Sequence, residues 1–176
     1  MIRERPTAWT FDLDERTTLM SLVSIVRNGG PIFATPDTVD ELIASFEVSE
    51  TTPEGVTALL DMSRKLLAAS VIHYEFAAVA IEKSLQAVEL AVRIRLDAGK
   101  NATFVQLIKR VKVEAGFADD DVDALDTGRI LRNRVFAHPT GVVAFPLVMC
   151  VDGIRTSHKL VGVLFPSADS ADRVRQ

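Results

Sequence analysis

The stretch RILRNRVFAHP, residues 129–139, holds the side chains best suited to chemistry in this chain. It contains three arginines, Asn133 and His138, and His138 is one of only three histidines in the 176-residue sequence. A histidine that titrates at about pH 6.5 can give or take a proton at neutral pH, and a guanidinium can form two parallel hydrogen bonds to a phosphate group. These residue types indicate proton transfer beside a bound anion.

The same residues also have a purely structural interpretation. Arginine and histidine near a helix C-terminus interact favourably with the helix dipole, and a following proline ends the helix. This interpretation accounts for Arg129, Arg132, Arg134 and Pro139. It gives no special use to Asn133 or to a histidine at the very end of the helix.

The spacing within the stretch sets a geometric condition on any site. Five residues separate Arg132 from His138, which places their side chains about 120° apart around an ideal helix. They converge only if the helix ends or distorts before His138, and Pro139 favours this because it disfavours helical geometry in the residue before it. Arg134, four residues before His138, would share its face on an undistorted helix and therefore competes with Arg132 as the key arginine.

Composition limits the classes of protein to which the chain can belong. Its 48% apolar and 25% charged residues are typical of a single soluble globular domain without a membrane span. The polar N-terminus is unlike a signal peptide and Cys150 is the only cysteine, so we expect a cytoplasmic protein without disulfides. His73, His138 and His158 lack a second histidine or a cysteine at ligand spacing, and we therefore expect no metal or cofactor.

Apolar periodicity predicts an all-α fold whose helices are separated by glycine and proline. Residues 56–98 contain neither glycine nor proline; a single helix there would span about 60 Å, so we expect a break near residues 68–74. The C-terminal part is ambiguous, because Asp152-Gly153 is a hairpin signal whereas apolar residues from 147 to 165 recur at helical spacing; we favour a helix. The other predicted helices cover residues 14–27, residues 38–46, residues 103–115 closed by Gly116, and the segment that leads into the arginine-rich stretch.

In this helical context, RNRVFAHP resembles the Arg-x(4–6)-His signature of the HEPN superfamily, in which a small polar residue often follows the arginine. The resemblance extends over roughly residues 59–165 and implies a HEPN-like helical bundle in residues 51–176, preceded by an N-terminal helical extension in residues 1–50. Residue by residue, it implies a catalytic set of Arg132, Asn133 and His138, with Arg129 and Arg134 as supporting cations.

The family also places an acidic residue of the long helix next to the Arg-Asn pair. Glu89, in the sequence LQAVELAVRIRL, is the better match and Glu82 is the second. The alternative is that both acids belong to a solvated stripe that forms ion pairs with Lys83 and Arg93. The sequence alone leaves both interpretations open.

The function that the resemblance implies is metal-independent cleavage of RNA. The 2′-hydroxyl attacks the adjacent phosphorus, a histidine exchanges protons with the attacking or leaving oxygen, and an arginine stabilises charge on the phosphoryl oxygens. In this family two copies of the motif commonly form the site at a homodimer interface. Such a dimer would give a chain of net charge −4 a local basic groove. The expected setting is a toxin or phage-defence system, with an antitoxin or another protein as partner.

A second hypothesis, of a different class, also fits the sequence. The chain is then a catalytically inactive HEPN-like module that binds a protein partner or RNA. Thr140 stands where some relatives carry a tyrosine that a partner nucleotidyltransferase modifies, so a tyrosine-modifying antitoxin system is not indicated. His73 and Tyr74 lie among apolar residues, and we expect a core or interface role for them; for His158 we expect a packing role with one hydrogen bond.

Overall fold

Helices form the fold, as the apolar periodicity predicts. The computed structural model describes residues 12–19, 32–136 and 145–167, and no β-strand occurs among them. A π-helical turn, Arg132–Phe136, continues the sixth helix. The α-helices in these residues are α1 (Glu15–Thr18), α2 (Pro36–Ala44), α3 (Glu54–Ala69), α4 (Glu75–Arg95), α5 (Phe104–Glu114), α6 (Asp119–Leu131) and α7 (Leu147–Leu164).

The long apolar run of residues 56–98 folds back on itself, which confirms the predicted break. Helix α3 ends at Ala69 and α4 begins at Glu75. The carboxylate of Asp14, far away in sequence, accepts a hydrogen bond from the Tyr74 amide (2.8 Å) at the start of α4. Asp14 therefore acts as a remote N-terminal cap, and its negative charge also complements the helix dipole.

The C-terminal segment is helix α7 and not a hairpin, as we favoured from its periodicity. Helices α2 and α5 also lie where they were predicted, and each begins with a threonine, Thr35 or Thr103, whose hydroxyl accepts a backbone hydrogen bond of the first turn. The predicted helix over residues 14–27 is described only as α1, because residues 20–31 lie outside the described part. None of the described helices is long and apolar enough to cross a membrane.

Helix α4 is the centre of the fold, and α3 and α7 pack on it through small residues. Helices α3 and α4 run antiparallel to each other. Helix α7 runs parallel to α4, since Gly153 lies against Ile81 and, about one turn further along both helices, the Ser157 hydroxyl donates to the Ser84 hydroxyl (3.1 Å). Small residues at these positions let the two backbones approach closely.

Helix α6 also runs parallel to α4, because α5 carries the chain back between them. Leu85 of α4 lies against Gly128 of α6, and four residues later Glu89 forms an ion pair with Arg132. Helix α6 packs mainly on α5, and it meets both α4 and α7 at few points. This arrangement leaves a cavity between α4, α6 and α7.

The N-terminal residues that the structure describes share their core with the later helices. Ala34, Val39 and Phe46 are buried in one apolar cluster with Leu67 of α3 and Ile154 of α7. The described part of α2 is therefore packed on the bundle. The division at residue 50 into an extension and a HEPN-like bundle stays a prediction.

Gly116 provides a test of the loop that joins α5 to α6. Its φ is 70°, a left-handed conformation that costs an L-residue about 1 kcal/mol. Because a Cβ at this position would meet no atom within 4 Å, Gly116→Ala isolates that backbone effect. We expect the variant to lower the Tm by about 2–4 °C in differential scanning calorimetry.

Gly99→Ala is the matched control, since a Cβ there also meets open space and the backbone is not left-handed. The two variants should differ clearly in Tm. An equal Tm for Gly116→Ala and Gly99→Ala would contradict the left-handed turn after α5.

Candidate functional site

An ion pair between Arg132 and Glu89 forms the candidate site in the described residues. The Arg132 Nη1 donates to Glu89 Oε2, while Glu89 Oε1 accepts from the Nη2 (2.8 Å) and Nε (3.1 Å) of Arg93. The Glu89 side chain is 16% exposed, against 38% for Arg132. One largely buried carboxylate therefore holds two guanidinium groups, and the local charge is positive.

The approach of α6 to α4 explains why these two residues meet. A Cβ on Gly128 would lie only 2.8 Å from Leu85 Cδ2, so the glycine makes room for the Leu85 side chain against α6. Residues four positions apart lie on the same face of a helix. The contact of Gly128 with Leu85 thus brings Arg132 to Glu89 one turn further along.

Glu89 is the acid of α4 that reaches the arginine-rich stretch. The resemblance made it the better match, and the structure places it in direct contact with Arg132. Glu82 instead accepts a hydrogen bond from Gln86 (3.0 Å), two turns before Glu89 on the same helix. Arg93 also donates to the Ala102 carbonyl (3.0 Å), which ties the acid to the loop before α5.

The backbone changes its helical form where the motif begins. Residues Arg132–Phe136 form a π-helical turn directly after α6. Single π turns inserted into α-helices are frequent at functional sites. A distortion before His138 was the geometric condition set by the sequence, and it is present at this turn.

The other predicted site residues occupy different environments. Asn133 and Arg134 are exposed. Arg129 is mostly buried and donates to Asp126 (2.7 Å). His138 and Thr140 belong to residues 137–144, which lie outside the described part, so the distance between Arg132 and His138 stays a prediction.

A group of metal-ligating side chains occurs elsewhere in the fold, and no pattern in the sequence indicated it. Ligand atoms of Asp14, His73 and Glu75 lie within 4.8 Å of one another. The Arg16 guanidinium already donates to both carboxylates, and it lowers the pKa of Asp14 and of Glu75. The Arg16 side chain therefore already supplies a positive charge to this group. His73 is exposed and its ring lies 5.4 Å from that of Phe76, so the core role we considered for it is wrong, and the interface role stays a prediction.

His158 is the buried histidine of the described part. Its Nδ1 lies 3.2 Å from the Glu47 carbonyl, its Nε2 has no partner, and its ring packs on Phe46 at 5.2 Å between centroids. Burial lowers its pKa, which favours the neutral ring. The contacts fit the packing role expected from the sequence, and nothing in them connects His158 to Arg132.

A cavity of about 270 Å³ adjoins the ion pair. Its walls are Ile81, Leu85 and Val88 of α4, together with residues of α6 and α7, and Arg132 lies in its lining. The sequence did not reveal this cavity. The related features of the sequence are two glycines inside helices, Gly128 and Gly153. A glycine alone does not show which residue of another helix packs against it.

Comparison with known proteins identifies no similar protein. No protein family, curated protein or solved structure matches the chain. The site must therefore be interpreted from its own residues.

A double-mutant cycle measures the strength of the ion pair. We expect Glu89→Gln and Arg132→Gln to show a coupling free energy of about 1 kcal/mol in chemical denaturation, because the carboxylate is largely shielded from water. The matched control is the pair of Arg110 with Glu114, whose side chains are 40% and 45% exposed. Exposed pairs couple weakly, so a coupling at Glu89 no larger than in the control would contradict the shielded pair.

His158 predicts a pH dependence of stability. Because its pKa is lowered in the folded state, the unfolded chain binds the proton more readily. The free energy of unfolding should therefore fall as the pH decreases below about 6.5. In His158→Asn, whose amide can still donate to the Glu47 carbonyl, urea denaturation at several pH values should show a flatter dependence. The same slope in both proteins would contradict the buried neutral ring.

Proposed function

We propose that this protein is a metal-independent endoribonuclease of the HEPN type, with Arg132, Asn133 and His138 as its catalytic residues. The proposal includes a HEPN-like bundle, a site shared by two copies of the chain, and a toxin or phage-defence setting. The observation that carries it is the position of Arg132, which begins a π turn and is held by Glu89 of the central helix. Residue types, motif spacing and this contact all agree with one site.

The ion pair leaves Arg132 able to bind phosphate. A guanidinium has five N–H donors, and the hydrogen bond to Glu89 uses only one of them. Glu89 shares its single negative charge between Arg132 and Arg93, so it orients the guanidinium without cancelling the local positive charge. An oriented cation that keeps free donors suits the binding of a phosphoryl group.

The reaction follows from the residue types. The 2′-oxygen forms a bond to phosphorus and the bond to the 5′-oxygen breaks, which yields a 2′,3′-cyclic phosphate and a 5′-hydroxyl. One proton leaves the 2′-hydroxyl and one reaches the 5′-oxygen, and His138 exchanges one of these protons. Arg132 stabilises the negative charge on the phosphoryl oxygens, and Asn133 orients either partner by hydrogen bonding.

The second candidate is an inactive helical module that binds a protein or RNA. It is favoured by the same ion pair, because a structural pair of Glu89 with Arg132 needs no substrate to explain it. The two candidates differ in what His138 contributes. A binding module should be indifferent to the loss of this side chain.

RNA cleavage by the purified protein separates the candidates. We expect the wild type to degrade RNA in the presence of EDTA, because the mechanism uses proton transfer and a guanidinium. Arg132→Ala and His138→Ala should each reduce the rate by about 100-fold or more. Gel electrophoresis of labelled RNA measures the rate.

Arg95→Ala is the control, since Arg95 is an exposed arginine of α4 with no described ion pair. It removes the same charge and should keep the activity. Cleavage that persists in both Arg132→Ala and His138→Ala, or cleavage that EDTA abolishes, would rule out the proposed site.

A further inference from the structure

Apolar side chains of α4, α5 and α7 form much of the lining of the cavity between α4, α6 and α7. On α4, Ile81, Leu85 and Val88 lie on one face, and Leu160 of α7 and Phe104 of α5 complete the apolar lining. We refer to it as the inter-helix cavity. The cavity is partly open to solvent, so its apolar surface leaves contact with water when an apolar ligand enters. A persistent apolar space therefore favours an apolar occupant.

The volume of the cavity sets the size of that occupant. An apolar cavity of about 150 Å³ in another protein accommodates benzene. The inter-helix cavity, at about 270 Å³, is nearly twice as large. It therefore has room for an apolar body of roughly two fused rings.

The lining is charged on the side of α6. Arg129 and Arg132, three residues apart and thus on the same face of α6, both belong to it. Each guanidinium is engaged with one carboxylate, Asp126 or Glu89, and retains further donors. Asp152, the acidic residue of the lining, is neutralised by Arg155 (2.6 Å). An occupant that carries a negative charge next to these arginines is complementary to the cavity.

We propose that the inter-helix cavity binds a small carboxylic acid whose apolar body fills the space between Leu85 and Leu160 and whose carboxylate meets Arg129 and Arg132. A nucleobase is less suitable, because it carries polar groups on several edges and some of them would lie against the apolar side chains of Ile81, Leu85 and Val88. Binding of the acid does not depend on RNA cleavage. If the proposed function holds, however, the acid occupies donors of Arg132 that RNA phosphate needs, so it inhibits cleavage.

The test is isothermal titration calorimetry of the full chain with 2-naphthoate. Its matched uncharged analogue is 2-naphthalenemethanol, and adenosine represents a nucleobase. We expect saturable binding of one naphthoate per chain and an affinity at least tenfold lower for the alcohol, because charge-assisted hydrogen bonds are lost. Absence of naphthoate binding, equal affinity for the alcohol, or tighter binding of adenosine would overturn the assignment.

Two variants locate the ligand within the fold. Thr156→Leu enlarges a half-buried side chain of the lining and should abolish binding by filling the space. Arg129→Gln, which leaves the apolar walls intact, should weaken naphthoate about tenfold and leave the alcohol unchanged. Unchanged naphthoate affinity in Arg129→Gln, or in a Thr156→Leu protein that retains the wild-type Tm, would place the ligand elsewhere and overturn the assignment.

A third protein separates this inference from the proposed function. His138→Ala should lose RNA cleavage and bind naphthoate with the wild-type affinity, because the acid is proposed to be held by Arg129, Arg132 and the apolar walls. A wild type that binds naphthoate but cleaves no RNA would contradict the ribonuclease and support the cavity. Cleavage without naphthoate binding would do the reverse.

Discussion

The ion pair of Glu89 with Arg132 connects the central helix to the turn that carries the candidate motif. The π turn starts at Arg132, so this contact fixes the position of the first motif residues against α4. Glu89 is anchored in turn by Arg93, which also binds the loop before α5. A substitution at Glu89 would therefore affect the position of Arg132 and not only its charge.

The pair depends on close packing of helices further inside the fold. Gly128 lets α6 approach Leu85, and Gly153 lets α7 approach Ile81, where a Cβ would lie 2.5 Å from the Ile81 Cδ1. Both helices are thus set in parallel register on α4. Because α6 and α7 contact α4 on different residues and α6 has few contacts with either helix, the inter-helix cavity remains next to Arg132. Site and cavity are two results of one packing arrangement.

Local signals in the sequence predicted the helices well. The helical rather than hairpin character of residues 147–165 and the helix that ends before Gly116 follow from apolar spacing and from glycine or proline, whereas the break in residues 56–98 follows from the length that an unbroken helix would have. These signals act over a few residues. The capping of α4 by Asp14, sixty residues away in sequence, has no such signal, and neither does the group of Asp14, His73 and Glu75.

The candidate site was predictable in part for the same reason. Arg132 and Asn133 belong to a motif that can be recognised in the sequence, and the resemblance to the HEPN signature made Glu89 a better match than Glu82. The contact between Gly128 and Leu85 sets the register of α6 against α4 and so brings Arg132 to Glu89. Apolar periodicity within one helix does not predict such a contact between two helices. The start of the π turn at Arg132 and the cavity beside it also result from packing between distant segments, and they were found only in the folded chain.

The chemical identity of the RNA ends tests the central claim most directly. If Arg132 and His138 promote attack by the 2′-hydroxyl, mass spectrometry of the products of a short RNA should find a 2′,3′-cyclic phosphate on one fragment and a 5′-hydroxyl on the other. An RNA with a 2′-deoxy residue at the cleavage position should remain intact, because it lacks the nucleophile. Products with a 3′-hydroxyl and a 5′-phosphate, or cleavage of the deoxy-substituted RNA, would contradict the mechanism.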